Sequence, residues 1–169
     1  MKTKACVLVS AMALVLMVPI SPAGAPTGTS CKTESGTITF SPTLPKFGND
    51  KLVKATAYVK GTLGGCSNGV TGGTFTGISK LGNVNCKNAG RKAASTETIT
   101  WTPASRGTST LRLSQVGTEN GGVFTGTVAA GRFKDTTVTI HRAWVALNPG
   151  ACETNGMKTI KFKSTAVHI

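Results

Sequence analysis

The chain beyond residue 30 alternates between apolar and polar residues with a period of two over most of its length. Glycine, asparagine or proline separates most of the alternating segments, and no window of eleven residues has helical spacing. A period of two places successive side chains on opposite faces of an extended strand, and frequent turn residues are typical of sandwiches and barrels. The pattern predicts about eight strands, at residues 36–40, 54–63, 73–81, 95–101, 107–116, 121–128, 136–145 and 156–167.

A glycine-rich decamer, GGCSNGVTGG at residues 64–73, lies between two of these segments. Asparagine and glycine tolerate positive φ, so its Ser-Asn-Gly sequence has the chemistry of a tight turn. Because alternating threonine-rich segments flank it on both sides, the decamer predicts a turn within a packed domain rather than a flexible linker.

The N-terminus has the layout of a secretory signal peptide. Lys2 and Lys4 precede a continuous apolar run at residues 5–20, and small residues follow that run. The run is short for a membrane span. We therefore expect the mature protein to be secreted and extracellular, with no membrane span.

Two cleavage sites fit the small residues after the apolar run. We expect cleavage after Ala23, with Ala25 as the alternative, since cleavage at Ala25 leaves a proline beside the cut. Residues 1–23 are then the signal peptide and residues 24–169 form a single secreted β domain. That length suits one domain with a modest core.

Four cysteines remain in the predicted domain, an even number that suits disulfide bonds in an oxidising exterior. They are Cys31, Cys66, Cys86 and Cys152. Three pairings are possible. We expect one disulfide between Cys66 and Cys86, across adjacent strands, and another between Cys31 and Cys152, from the first strand to the last. The cysteines lack metal-site spacing and have no histidine nearby, so we expect no metal and no cofactor.

A series of short motifs runs through most of the mature chain: Cys31, GTITFSPTL, GTLGGC, Cys86, TITW, STLRL, GRF and Cys152. This order resembles that of a loose group of uncharacterised secreted proteins of actinobacteria. In that group a glycine usually stands where this chain has Asp135. The motifs are strand, turn and disulfide positions, so the resemblance implies an immunoglobulin-like or related β fold and carries no activity with it.

We expect an all-β fold, namely an immunoglobulin-like antiparallel β-sandwich of seven to nine strands. An eight-stranded up-and-down β-barrel is the alternative, because both architectures produce the same alternation. Trp101 and Trp144 lie on alternating strands, and we expect both to pack in the core.

Catalytic groups are sparse, and we expect no enzymatic activity. The six carboxylates, several of them in predicted turns, are Glu34, Asp50, Glu97, Glu119, Asp135 and Glu153. His141 is expected to be an exposed strand residue, and no G-x-S-x-G motif places a serine beside it. An enzyme would need Glu97 or another carboxylate to meet His141 in a cleft. His168 is expected to lie in a disordered tail.

Positive charge is the strongest functional signal. Of 19 lysines and arginines, 17 remain when Lys2 and Lys4 are removed, and against six acidic residues they give a net charge of +11. Such a field attracts polyanions in a salt-sensitive way. The residues expected to bind a polyanion, because they share polar strand faces, are Lys54, Lys60, Arg112, Lys161 and Lys163.

Two simpler roles of this charge are solubility and protection of strand edges from aggregation. A nucleic-acid partner is not expected, because aromatic and basic residues do not interleave along any strand.

The expected function is a non-enzymatic secreted binding or structural module that associates with anionic cell-envelope polymers. A secreted small-ligand carrier or a protease inhibitor is the alternative. A deep apolar cavity, or a rigid loop at residues 83–92, would favour that alternative. The sequence specifies neither the partner nor the oligomeric state.

Overall fold

A computed structural model describes residues 27–46, 48, 51–89, 91–118, 120–145, 152 and 154–169. The predicted signal peptide and both cleavage sites lie outside the described residues, as do Asp50, Glu119 and Glu153. The described strands are β1 (Ser30–Leu44), β2 (Val53–Cys66), β3 (Gly72–Val84), β4 (Lys92–Thr102), β5 (Thr108–Thr118), β6 (Gly121–Gly131), β7 (Thr137–Val145), β8 (Met157–Ser164) and β9 (Val167–His168). A short 3₁₀ helix, Ala104–Arg106, follows β4.

The strands form one antiparallel sheet that closes on itself. Strands β1 to β8 follow one another around the sheet in sequence order, and pairing of β8 with β1 completes the ring. Strand β9 continues beyond the end of β8 and pairs with β1 and β7. The prediction of an all-β fold with about eight strands is confirmed, and its architecture is the eight-stranded up-and-down barrel that the sequence left as the alternative.

The predicted immunoglobulin-like sandwich is wrong. A sandwich consists of two separate sheets, whereas β1 here pairs with β2 on one side and with β8 on the other. Alternation shows only that one face of each strand is buried, which holds equally for both architectures. Inward-facing glycines such as Gly36 and Gly61, which are register partners, suit the strong bending that a closed barrel requires.

Inward-facing side chains fill the barrel. An interior of eight strands is just wide enough for side chains or for one small ligand. Trp101 is 1% exposed, which confirms its predicted core position, and Trp144 is half-buried against the same core. The other large buried apolar residues on the strands include Ile38, Phe40, Val59, Phe75, Ile99, Leu111, Leu113, Phe124, Val128, Val138, Ile140 and Phe162.

We call the end of the barrel at which β1 begins the lower end. The β2–β3 connection turns there, with φ of 56° at Asn68 and 79° at Gly69, so the predicted turn in the glycine-rich decamer is confirmed. The β6–β7 connection also turns there, and Asp135 adopts a φ of 68°, in the left-handed region that favours glycine. His168 is not disordered: it belongs to β9, and its Nδ1 lies 3.0 Å from the hydroxyl of Ser30.

A hydrogen-bonded aromatic cluster closes the lower end. The indole N–H of Trp101 donates to the Ser109 hydroxyl at 2.8 Å, and that hydroxyl donates to the backbone carbonyl of Arg132. Phe133 packs edge-on against Trp101, with ring centroids 5.5 Å apart. A buried indole N–H needs such a partner, so Ser109 allows tryptophan to fill this end of the core.

The cysteines pair as Cys31–Cys66 and Cys86–Cys152, so the predicted pairing is wrong. Cys66 and Cys86 flank β3, a strand of 13 residues that is about 40 Å long, and therefore lie at opposite ends of the barrel. Cys31 and Cys66 are instead register partners on β1 and β2. Cys86 and Cys152 lie in the β3–β4 and β7–β8 connections, which leave the barrel at the same end, opposite the lower end.

Candidate polyanion-binding groove

A groove of about 720 Å³ crosses the outer wall of the barrel over β8, β1, β2 and β3. Its lining residues are three lysines, five serine or threonine residues, two glycines and three apolar residues: Lys60, Lys161, Lys163, Ser35, Thr37, Thr62, Thr74, Thr76, Gly36, Gly61, Phe75, Val145 and Phe162. We call this surface the lysine groove. No carboxylate is among these lining residues.

Strand register brings the lysines to opposite sides of β1. Thr37 of β1 is the partner of Lys60 on β2 and of Lys161 on β8. Neighbouring strands lie about 4.8 Å apart, so the two lysine Cα atoms are about 10 Å apart with a short threonine between them. A concave floor between two long cationic side chains follows from that order.

The third lysine extends the same row. Lys163 is the β8 partner of Ser35, and because it lies two residues beyond Lys161 on one strand, their Cα atoms are about 7 Å apart. Lys60, Lys161 and Lys163 are all exposed. The groove therefore combines three ammonium groups with several hydroxyl groups, which are donors suited to phosphate or carboxylate oxygens.

The inner face of the same wall depends on two glycines. A Cβ on Gly36 would lie 2.5 Å from Phe162 Cζ, and a Cβ on Gly61 would lie 2.5 Å from Phe75 Cζ. The two phenylalanine rings occupy that space from either side, with centroids 6.2 Å apart. The floor of the lysine groove is therefore backbone supported from within by aromatic rings.

Inside the barrel, Arg142 binds two carboxylates. Its Nε and Nη2 donate to Glu34, with Nη2 2.7 Å from Oε1, and its Nη1 and Nη2 each lie 2.7 Å from an oxygen of Glu97. The three side chains are at most 1% exposed. The guanidinium also packs against the rings of Phe124 and Phe162, 4.5 and 4.7 Å from their centroids.

Burial dominates the electrostatics of this cluster. Desolvation raises the pKa of the Glu34 carboxyl above its usual range, although the adjacent Arg142 guanidinium opposes the rise. Burial acts to lower the pKa of Arg142, but the charges and hydrogen bonds of Glu97 and Glu34 outweigh it and raise that pKa, so the guanidinium stays charged. One guanidinium thus faces two carboxyl groups, and burial shifts Glu34 towards its neutral form.

The internal cluster leaves the described surface almost purely cationic. Two of the three described carboxylates, Glu34 and Glu97, are buried against Arg142. The third, Asp135, lies in the β6–β7 connection at the lower end, 3.9 Å from Lys134. The described lysines therefore meet little neutralising charge on the outer wall, and their field acts on solvent and on ligands.

The structure brings together three of the five residues predicted to bind a polyanion. Lys60, Lys161 and Lys163 line the lysine groove. Lys54 is exposed near the start of β2, six residues from Lys60, and Arg112 is exposed on β5, three strands away from β2. Those two residues add charge to the surface but do not line the groove.

Sequence reasoning missed both the hydroxyl lining and the internal cluster. The internal cluster could have been inferred from the alternation of apolar and polar residues along β4 and β7. Glu97 has the same strand parity as Ile99 and Trp101, and Arg142 has the same parity as Ile140, so both charged residues belong to apolar faces. A charged residue at such a position requires a buried partner.

The residues considered for catalysis do not meet. His141 is exposed on the outside of β7, as predicted, whereas Glu97 is buried inside the barrel. Within the described part of the chain, no group of three or more histidine, cysteine, aspartate or glutamate residues is placed to hold a metal ion. No helix among the described residues has the length and apolar character needed to span a bilayer.

Comparison with known proteins finds no matching family model, no matching curated protein and no matching solved structure. The two disulfides are consistent with an oxidising environment such as the cell exterior. The lysine groove is therefore the feature of the described structure that bears most directly on function.

Proposed function

We propose that this protein is a non-enzymatic, secreted binding module whose lysine groove associates with an anionic polymer of the cell envelope. The observation that carries the proposal is the convergence of Lys60, Lys161 and Lys163 on one groove lined by hydroxyl groups and by no carboxylate. Ammonium groups attract the repeated charges of such a polymer, and hydroxyl groups donate hydrogen bonds to its oxygens.

The arrangement favours an extended ligand over a small apolar one. The groove is open along the outer wall, with Lys60 on one side of β1 and Lys161 and Lys163 on the other. The centre of the barrel is occupied by Arg142, its two carboxylates and the aromatic rings around them. A repeating anion can run along the groove between these lysines, and each added contact strengthens binding in a salt-sensitive way.

Co-sedimentation tests this function. Oxidised mature protein is mixed with purified Gram-positive cell walls, with and without their teichoic acid, across a salt series. We expect binding that requires the teichoic acid and decreases as salt screens the lysines. Protein that remains in the supernatant at low salt, or binding that does not respond to salt, would refute the proposal.

A matched pair of variants locates the interaction. The test variant replaces the three groove lysines (Lys60→Gln, Lys161→Gln and Lys163→Gln). The control replaces three exposed cations elsewhere on the outer wall (Lys54→Gln, Lys80→Gln and Arg112→Gln). Both variants lose three charges, so equal losses of binding would mean that only net charge matters. We expect the groove variant to lose at least about tenfold more affinity than the control.

A further inference from the structure

Two arginines converge at the lower end of the barrel, away from the lysine groove. A Cβ placed on Gly69 would lie 3.4 Å from Arg106 Nη2 and 3.5 Å from Arg132 Nη2. The two guanidinium groups therefore meet over the same glycine. They come from different connections, since Arg106 ends the 3₁₀ helix after β4 and Arg132 follows β6.

Arg132 is held in place by its neighbours. Its Nη2 donates to the backbone carbonyl of Asn68 at 2.9 Å, and its guanidinium stacks on Phe133, 4.6 Å from the ring centroid. Phe133 in turn packs against Trp101 in the closed end of the core. One arginine of the pair is thus preorganised by the fold, which reduces the cost of ordering it when a ligand binds.

Arg106 is the freer member of the pair. Its side chain is exposed, and among the described residues none accepts a hydrogen bond from its guanidinium. Gly69 has a positive φ of 79°, and its missing side chain leaves the space in which the guanidinium groups approach each other.

No described side-chain carboxylate forms an ion pair with either arginine. Glu34 and Glu97 bind Arg142 inside the barrel, and Asp135 lies 3.9 Å from Lys134. Two guanidinium groups held over one residue repel each other, and an oxyanion between them removes that repulsion. Guanidinium groups bind phosphate and carboxylate in a planar, two-pronged geometry, so two of them suit a single phosphate group especially well.

We infer that Arg106 and Arg132, together with the turn at Asn68 and Gly69, form a binding site for one phosphate group at the lower end of the barrel. The site is separate from the lysine groove, shares no residue with it and does not depend on the function proposed for it. The phosphate can come from a free small anion or from a phosphodiester of a polymer, since both present the same charged oxygens.

Nuclear magnetic resonance tests the site through the backbone amide of Gly69. Inorganic phosphate is titrated into the mature, oxidised protein at constant ionic strength, with chloride as the matched reference. A second titration uses a short glycerol phosphodiester oligomer. We expect a saturable shift of the Gly69 signal with at least one of the two probes, and the probe that saturates first identifies the source. A response no larger than that to chloride, with both probes, would overturn the inference.

Variants separate this site from the groove and from a general charge effect. Arg106→Gln removes an exposed side chain and should weaken phosphate binding by about tenfold. Arg132→Lys keeps the charge but loses the paired N–H donors of the planar guanidinium, and should weaken phosphate binding to a similar degree. The groove variant (Lys60→Gln, Lys161→Gln and Lys163→Gln) should leave the Gly69 response unchanged. Wild-type binding by Arg106→Gln, or loss of the response in the groove variant, would contradict the assignment.

Discussion

On its inner face β1 carries Glu34, which is enclosed in the barrel and bound by Arg142; one residue along, on its outer face, Ser35 lies in the lysine groove. The inner ionisable groups are buried, paired and fixed by hydrogen bonds at 2.7 to 3.1 Å. The outer charges are exposed and have no described carboxylate in the groove. The same wall therefore carries charge in two settings, internally in a buried hydrogen-bonded cluster and externally on the exposed surface for which we propose a binding role.

This difference sets the consequences of mutation. Loss of one member of a buried ion cluster leaves uncompensated charge in a medium that cannot solvate it. Loss of an exposed lysine leaves the fold unchanged but removes part of the field at the surface. Substitutions on the inner face of β1 should therefore change the stability of the fold, and substitutions on its outer face should change ligand binding.

The largest expected effect comes from Arg142→Met. Glu34 and Glu97 would lose their shared partner, and we expect the free energy of unfolding to fall by about 3–5 kcal/mol, as for other broken buried ion pairs. Urea unfolding followed by tryptophan fluorescence measures the change. The triple variant Glu34→Leu, Glu97→Leu and Arg142→Met removes all three ionisable side chains, so it should recover most of the loss. A single variant as stable as the wild type would show that the cluster is not the buried ion network described above.

Gly36→Ala tests the glycine pair beneath the groove floor. The added Cβ would lie 2.4 Å from the Lys60 carbonyl oxygen and 2.5 Å from Phe162 Cζ, and we expect such overpacking to cost about 1–3 kcal/mol. Gly82→Ala is the matched control, because nothing lies within 4 Å of its added Cβ. Calorimetric melting compares the two variants. Equal melting temperatures would contradict the steric role of Gly36.

The pH dependence of stability tests the raised pKa of Glu34. The folded state binds the Glu34 proton more tightly than the unfolded chain does. Its contribution to stability is therefore complete below the unfolded-state pKa and is lost as pH rises through the raised pKa of the folded state. We expect the difference in unfolding free energy between the wild type and Glu34→Gln to decrease with rising pH. Urea titrations from about pH 3 to about pH 8 measure it, and a difference that increases with pH would refute the assignment.

The smallest effect on stability is expected for the groove variant, Lys60→Gln, Lys161→Gln and Lys163→Gln. Exposed substitutions of this kind change stability little, so we expect its melting temperature to stay within about 2 °C of the wild type while polymer binding is lost. Thermal unfolding and co-sedimentation on the same preparation give both quantities. Destabilisation as large as that of Gly36→Ala would mean that the lysines support the fold instead of serving a ligand.

The sequence could predict the strands because each one keeps a period of two, and the eight predicted segments correspond to β1 to β8, with β9 continuing the last. The sequence could not predict that the sheet closes into a barrel, since the pairing of β8 with β1 joins residues such as Glu34 and Ser164 that are far apart in the chain. The disulfide pairing failed for the same reason, because Cys31 and Cys66 become neighbours only through strand register.

The candidate site was predictable only in part. Strand parity placed Lys60, Lys161 and Lys163 on outward faces, but not the order of strands that brings them together. Strand parity also predicts that Glu97 and Arg142 face inwards. The geometry that joins them to Glu34, however, depends on the curvature of the closed sheet. The meeting of Arg106 and Arg132 depends on two connections whose conformations the local sequence does not fix.

Closure of the ring has one more consequence, for the way in which this protein can meet other chains. Each of the strands β1 to β8 pairs on both sides with another described strand. None of these described strands is a fully open edge to which a peptide or a second protein could add a strand, which is a common route both to recognition and to aggregation. On the described walls a partner meets outward side chains, which include the threonines and lysines of the lysine groove and the exposed Tyr58, Ile78 and Val116.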